Sequence, residues 1–301
     1  MRGAVRRLRL RERLIDPKSP DRRPRRAAYV LPALFTAGNL FLGYLSIMKS
    51  VQAAIAGASG APGAGAEFAA AATTIGVAVF LDGLDGQIAR MTNTVSDFGR
   101  ELDSLADVIT FGVAPAVLAF AWGVHFLDGN LGGPVREHVV RAGYFLAFLF
   151  LLCGAARLAR FNVQVNPLPK NPGRADRKYF VGLPIPAAAA MVAAVVFGFA
   201  GEPLRWWPFS MAWMGLLMVL SFLMVSTWRY RSFKEMNLLR PRSPVSVVLL
   251  GSLIYLTWNY PQPVLLAMAV AYVGSGIFIR AGGIVKRRLR PAPPQPHHQV
   301  S

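Results

Sequence analysis

Cys153 is the only cysteine in the 301-residue chain, which excludes an internal disulfide and any metal site built on several thiolates. Charge is scarce as well. Asp, Glu, Lys and Arg make up 16% of the residues, where soluble domains carry roughly 25%, while 54% are hydrophobic and the mean hydropathy is +0.40. Acids are the scarcer sign, 15 against 33 Lys and Arg, which leaves a net charge of +18. No nucleic-acid motif accompanies this basic excess, and there is no internal repeat. The basic residues also sit outside the apolar runs: residues 1–26 hold eleven Lys/Arg against three acids, and residues 280–290 hold five and no acid. That distribution points to anionic lipid headgroups and membrane orientation, not to nucleic acid.

Long apolar runs are what the chain has in abundance. Stretches of about 17–25 such residues can cross a bilayer as helices. They fall near 31–51, 67–90, 104–126, 139–160, 181–200, 209–228, 244–259 and 262–280, the last two forming a hairpin around Asn259-Tyr260-Pro261-Gln262-Pro263. The basic N-terminus followed by LPALFTAGNLFLGYLSIMKSV is too long on both counts for a signal peptide, so it reads as a retained first helix. Segments after the second, fourth, sixth and eighth runs are basic, whereas those after the first and seventh contain no Lys or Arg. Positive-inside logic then places both termini in the cytoplasm of a multi-pass protein of the cell membrane, with about eight spans. AIAGASGAPGAGA (54–66) reads as an external loop, and the Trp206-Trp207 pair as an interface belt. PAPPQPHHQVS, with His297 and His298, reads as a disordered tail.

Against this background, four acids stand out in FLDGLDGQIARMTNTVSDFGRELDSLADVITFGVAPAVLAF (80–120): Asp82, Asp85, Asp103 and Asp107. A carboxylate at membrane depth costs several kcal/mol unless paired, hydrated or bound to metal. Asp82 and Asp85, three apart, share one helix face; Asp103 and Asp107, four apart, share another, with Gly99 one turn earlier. Gly86 and Ala89 leave room beside the first pair for a backbone or ligand. Oxygen-only donors favour Mg²⁺ or Mn²⁺, and four acids suit two ions clamping a phosphoryl group. A carboxylate not fully committed to metal can take a proton from an attacking hydroxyl, and Arg90 suits a phosphate. The residues alone leave two other readings open: structural ion pairs with Arg90 and Arg100, and a cation pathway.

The string Asp82-x2-Asp85-Gly86-x2-Ala89-Arg90-x8-Gly99-x3-Asp103-x3-Asp107 resembles, without a departure, the signature of the CDP-alcohol phosphatidyltransferases. These integral membrane enzymes displace CMP from a CDP-linked lipid with an alcohol. The resemblance implies an all-α integral membrane fold, a six-helix core with the C-terminal hairpin added to it, and possible homodimerisation. It implies that Asp82, Asp85, Asp103 and Asp107 ligate metal, that Asp107 is also the general base, and that Gly86, Ala89, Arg90, Ser96 and Gly99 hold the CDP moiety. Further similarity lies in LPALFTAGNLFLGYLSI, GAARLARFNV (154–163), KYFVGLPIPAAA (178–189) and MVSTWRYRSFKE (224–235), which look like the membrane-integral phosphatidylserine synthase branch. That branch implies CDP-diacylglycerol and L-serine as substrates.

Several residues outside the signature join as candidates. Arg157 and Arg160 are placed to meet a serine carboxylate or lipid phosphate, or equally to act as positive-inside anchors. Thr36 and Asn39, one turn apart in the first span, can face the nucleotide or bond between helices. Lys178 and Tyr179 precede the Gly182-Leu183-Pro184 turn as further cationic and polar candidates. The expected organisation is a basic segment (1–28), the family's membrane domain (29–235), an added hairpin (236–282) and a basic, Pro-rich tail (283–301). Glycerol 3-phosphate, an inositol phosphate or an archaeal ether lipid remain alternative substrates. A cation transporter is the alternative of another class, although acids are almost absent from the other spans.

Overall fold

The computed structural model describes residues 22–92, 97–127, 132–165, 179–231 and 244–288. The expected roles of Ser96, Lys178 and the C-terminal tail lie outside these residues. So do the side chains of Asp85, Ala89 and Arg90 and the surroundings of Gly86, although their helix is described. The chain order is α1 (Arg22–Ala58), α2 (Ala64–Thr92), α3 (Asp97–Asp107), a π-helical turn (Val108–Val113), α4 (Ala114–Gly123), α5 (Gly133–Val165), β1 (Tyr179–Val181), α6 (Ile185–Gly198), α7 (Trp207–Val225), β2 (Arg229–Arg231), α8 (Pro244–Asn259) and α9 (Pro261–Arg288).

Each expected apolar run falls on helix, with three revisions. The loop expected over 54–66 is mostly helical: Ala-rich sequence carries α1 to Ala58, Gly60 at positive φ follows its end, and Gly63, also at positive φ, immediately precedes α2 at Ala64. The third run begins earlier, at Asp97, and is interrupted by the π turn. The expected start of the fifth run at 181 is instead a strand, with helix resuming after Pro184 at Ile185. Five helical segments, Leu34–Ala58, Ala64–Leu84, Phe98–Gly123, Gly133–Val163 and Trp207–Val225, have the length and composition to cross a membrane, while Ile185–Gly198 and Pro261–Ile277 are shorter apolar helices.

The packing of α1 shows how a membrane helix inverts the usual pattern. Thr36, Asn39, Gly43, Ser46, Ser50 and Ala53 recur every three or four residues and are buried, whereas Leu34, Phe41, Tyr44, Val51 and Ile55 are exposed. Small and polar groups admit close backbone approach and bond across helices, and the large side chains face outward. The Ser46 hydroxyl donates to the Ala71 carbonyl of α2 at 3.0 Å. The inward stripe of α2, Phe68, Ala71, Ala72, Ile75 and Ala78, runs one turn further into Asp82. The Ala-rich α6 sits in the middle of the core, packed on α2 and α9.

At the acid-bearing end, β1 and β2 form a short antiparallel ribbon, Phe180 opposite Tyr230. Gly182, at φ +80°, donates its N–H to the Trp228 carbonyl at 2.8 Å, and a Cβ there would meet the Met224 carbonyl at 2.6 Å, so both the turn and the close approach require glycine.

Candidate active site

Asp82, from the inner end of α2, and Asp103 and Asp107, from α3, converge: each offers a carboxylate oxygen, and these oxygens lie within 4.8 Å of one another. All three are partly buried. Two like charges at that separation, 4.8 Å, repel by about 3 kcal/mol at an effective dielectric of about 20. The donor set, carboxylates only and closely spaced, fits a hard divalent cation such as Mg²⁺ or Mn²⁺. Helix α1 packs along α2, α3 and the π turn together and so sets the acids of the two helices in register.

The π turn begins immediately after Asp107, and Thr110, Phe111 and Gly112 within it are buried. An i→i+5 turn carries an extra residue relative to α-helix and so rotates the faces of α3 against those of α4; such turns occur frequently at functional sites. Two contacts with α1 fix it. The Thr110 hydroxyl donates to the Asn39 carbonyl at 3.1 Å, and Gly43 backs directly on Thr110. Thr36 and Asn39 are thus buried beside the turn that comes after Asp107, and the Asn39 Oδ1 has no hydrogen-bond partner among the described residues.

A Cβ on Gly43 would lie 2.6 Å from Thr110 Oγ1 and 2.7 Å from Thr110 Cα, so the backbone of one helix must move. Gly43→Ala is therefore expected to destabilise the protein by about 1–3 kcal/mol. Gly76→Ala, in α2 with nothing within 4 Å of the new methyl, is expected to be neutral or stabilising by up to about 1 kcal/mol. Thermal unfolding in detergent checks the opposite signs.

Helix α5 supplies the cationic side. Arg157 stands within electrostatic reach of Asp107, Arg160 and Tyr272. Its Nε is buried and has no hydrogen-bond partner among the described residues. Arg160, one turn on, reaches instead toward the end of α7, its Nη1 donating to the Val225 carbonyl at 3.4 Å, where a cation also complements the helix dipole. The two arginines, read alike from sequence, thus occupy different surroundings. Asn162, which sequence reasoning did not single out, donates from Nδ2 to the Ser104 hydroxyl at 2.9 Å, and Ser104 in turn donates to the Arg100 carbonyl at 3.0 Å. This chain ties α5 to α3 between the two aspartates. Gly99 is half-buried at the start of α3.

A site of clustered carboxylates at one end of an apolar helix bundle, with a half-buried guanidinium in electrostatic reach, defines a membrane-embedded enzyme centre suited to a metal and an anionic substrate. The chain belongs to the CDP-alcohol phosphatidyltransferase family, whose sequence profile matches residues 29–228. It is 36% identical over 209 residues to the CDP-diacylglycerol–serine O-phosphatidyltransferase of Helicobacter pylori, covering 69% of this chain and 75% of that protein. The enzyme of the same name from Bacillus subtilis is 32% identical over 205 residues, 68% of this chain and 92% of its own length. The archaetidylserine synthase of Methanothermobacter thermautotrophicus is 35% identical over 204 residues, 66% and 69% respectively.

Proposed function

We propose that this enzyme transfers the phosphatidyl group of CDP-diacylglycerol to L-serine, giving phosphatidylserine and CMP. The observation that carries the reading is the convergence of Asp82, Asp103 and Asp107 at one end of the bundle, in a chain similar over two thirds of its length to serine phosphatidyltransferases.

Asp82, Asp85, Asp103 and Asp107 would hold Mg²⁺ or Mn²⁺, as two ions. Such ions, when bound, supply Lewis-acid neutralisation of the diphosphate. Asp107 accepts the proton of the serine hydroxyl. The oxygen attacks the β-phosphorus, the one bearing diacylglycerol, and the bond to the CMP oxygen breaks. Gly86, Ala89, Arg90, Ser96 and Gly99 line the CDP moiety, with Thr36 and Asn39 behind it. Arg157, whose buried Nε lacks a protein partner among the described residues, binds the serine carboxylate, and Arg160 lies behind it. The membrane domain is taken as 29–235, with 236–282 an added hairpin. The basic residues of 1–26 and 280–290 support a cell-membrane protein with both termini and the site facing the cytoplasm. A homodimer is consistent with the family.

The acceptor is tested by incubating purified protein and CDP-diacylglycerol with L-serine, glycerol 3-phosphate or inositol phosphate and identifying the lipid product by mass spectrometry. Phosphatidylserine alone is expected; a phosphatidylglycerophosphate or phosphatidylinositol phosphate product in its place discards serine as the acceptor.

A further inference from the structure

Helix α3 carries two of the three clustered acids and is held from two sides. Past its far end, the Thr110–Asn39 bond and the Gly43 contact fix the π turn against α1. Between Asp103 and Asp107, the Asn162 Nδ2 of α5 donates to the Ser104 hydroxyl at 2.9 Å. Ser104 gives its own proton to the Arg100 carbonyl at 3.0 Å, so its oxygen is left as an acceptor and the amide must present its NH2 end. At 3.6 residues per turn, Ser104 stands about 100° round the helix from Asp103 and about 60° from Asp107. It occupies the flank between the acid face and the exposed face of Phe98, Glu101 and Leu105. A bond at that flank sets how α3 is rotated about its own axis.

We propose that Asn162 is a positioning residue for the metal site: by holding Ser104 it fixes the rotation of α3 at which Asp103 and Asp107 meet Asp82. This rests on the reading of the three acids as metal ligands. Their like charges push the faces of α2 and α3 apart, so the register of the two helices has to be held from elsewhere. Carboxylate oxygens ride roughly 5–6 Å from a helix axis, so a rotation of about 10° moves them by about 1 Å. Ligand distances at a working metal site stay within about 0.2 Å of their ordinary values. The Asn162–Ser104 bond therefore acts on metal affinity out of proportion to its share in the stability of the bundle.

The test is Mn²⁺ binding to the chelator-treated full-length protein in detergent, read from the electron paramagnetic resonance signal of the free ion, beside the thermal midpoint of the metal-free protein. Asn162→Leu, close in size and without a donor, is expected to raise the Kd for Mn²⁺ about tenfold, the lower end of what losing a ligand's supporting partner costs. Ser104→Ala removes the acceptor by a change that suits a helix, and is expected to raise the Kd equally. The double variant should bind no more weakly than either single one, because both remove the same bond. Ser46→Ala is the control. It deletes the 3.0 Å bond from α1 to the Ala71 carbonyl of α2, about three turns before Asp82, and is expected to lower the midpoint without changing the Kd. An unchanged Kd in Asn162→Leu or in Ser104→Ala overturns the positioning role, and a lower midpoint alone makes the bond merely structural. Additive effects in the double variant, or an equal rise in Kd in Ser46→Ala, overturn it too. Wild-type protein that binds no Mn²⁺ removes the reading of the acids as metal ligands, and the role of Asn162 with it.

Discussion

Asp107→Asn is expected to lower phosphatidylserine formation by about 10³-fold or more, while the protein folds and still binds CDP-diacylglycerol. Positioned general bases contribute typically about 10²–10⁴ to rate, and asparagine cannot accept the serine proton. The substitution is nearly isosteric, so the π turn that starts at Val108 and the contact between Thr110 and Asn39 are left intact. Asp82 and Asp103 remain to hold metal, so the defect falls on turnover and leaves lipid binding in place. Stopped turnover with unchanged binding of labelled CDP-diacylglycerol supports the assignment. Near-normal turnover removes Asp107 from the role of base, and loss of binding together with turnover makes it chiefly a ligand.

The second large effect concerns the cation itself. Three carboxylates within 4.8 Å favour unfolding by mutual repulsion unless positive charge offsets it. An ion that binds only the folded protein stabilises it by about 2.7 kcal/mol at a concentration a hundred times its Kd. Adding Mg²⁺ or Mn²⁺ to chelator-treated enzyme is therefore expected to raise the thermal midpoint by about 5 °C or more. Asp82→Asn should abolish most of this response and, with one charge fewer in the cluster, should raise the midpoint of the metal-free protein. Structural ion pairs make the opposite forecast: no response to divalent metal in the wild type, and a lower midpoint in Asp82→Asn because a cation then loses its partner.

The chemistry of the site was legible because the chain is so poor in acids. In an apolar sequence each carboxylate is costly, and Asp82, Asp103 and Asp107 mark their own helix faces by their spacing. The structure brings these three together as that spacing implies. The bundle was legible for a related reason, since spanning length and the alternation of basic loops act independently and agree. What sequence could not supply depends on neighbours far along the chain. The π turn over VITFGV has no local marker; it is held by Gly43 and Asn39, some seventy residues earlier. The three-residue strands β1 and β2 are too short to stand out from aromatic and basic loop sequence, and they form by pairing with each other. Arg157 and Arg160 look equivalent as a sequence pair, yet Arg160 donates to the Val225 carbonyl at the end of α7 while the buried Arg157 Nε has no hydrogen-bond partner among the described residues. Asn162 was missed because its importance lies in what it meets, the Ser104 hydroxyl on a helix far back in the sequence.

The central claim is metal-dependent phosphatidyl transfer to serine at the aspartate cluster, and CMP release tests it most directly. Purified enzyme in detergent, freed of metal by chelation, is given CDP-diacylglycerol with and without L-serine and with and without Mn²⁺ or Mg²⁺. Rapid CMP release only when metal and serine are both present is the predicted result, and Asp107→Asn should lack it under the same conditions. Serine-dependent release that persists in excess chelator, or no release with metal and serine both supplied, would contradict it.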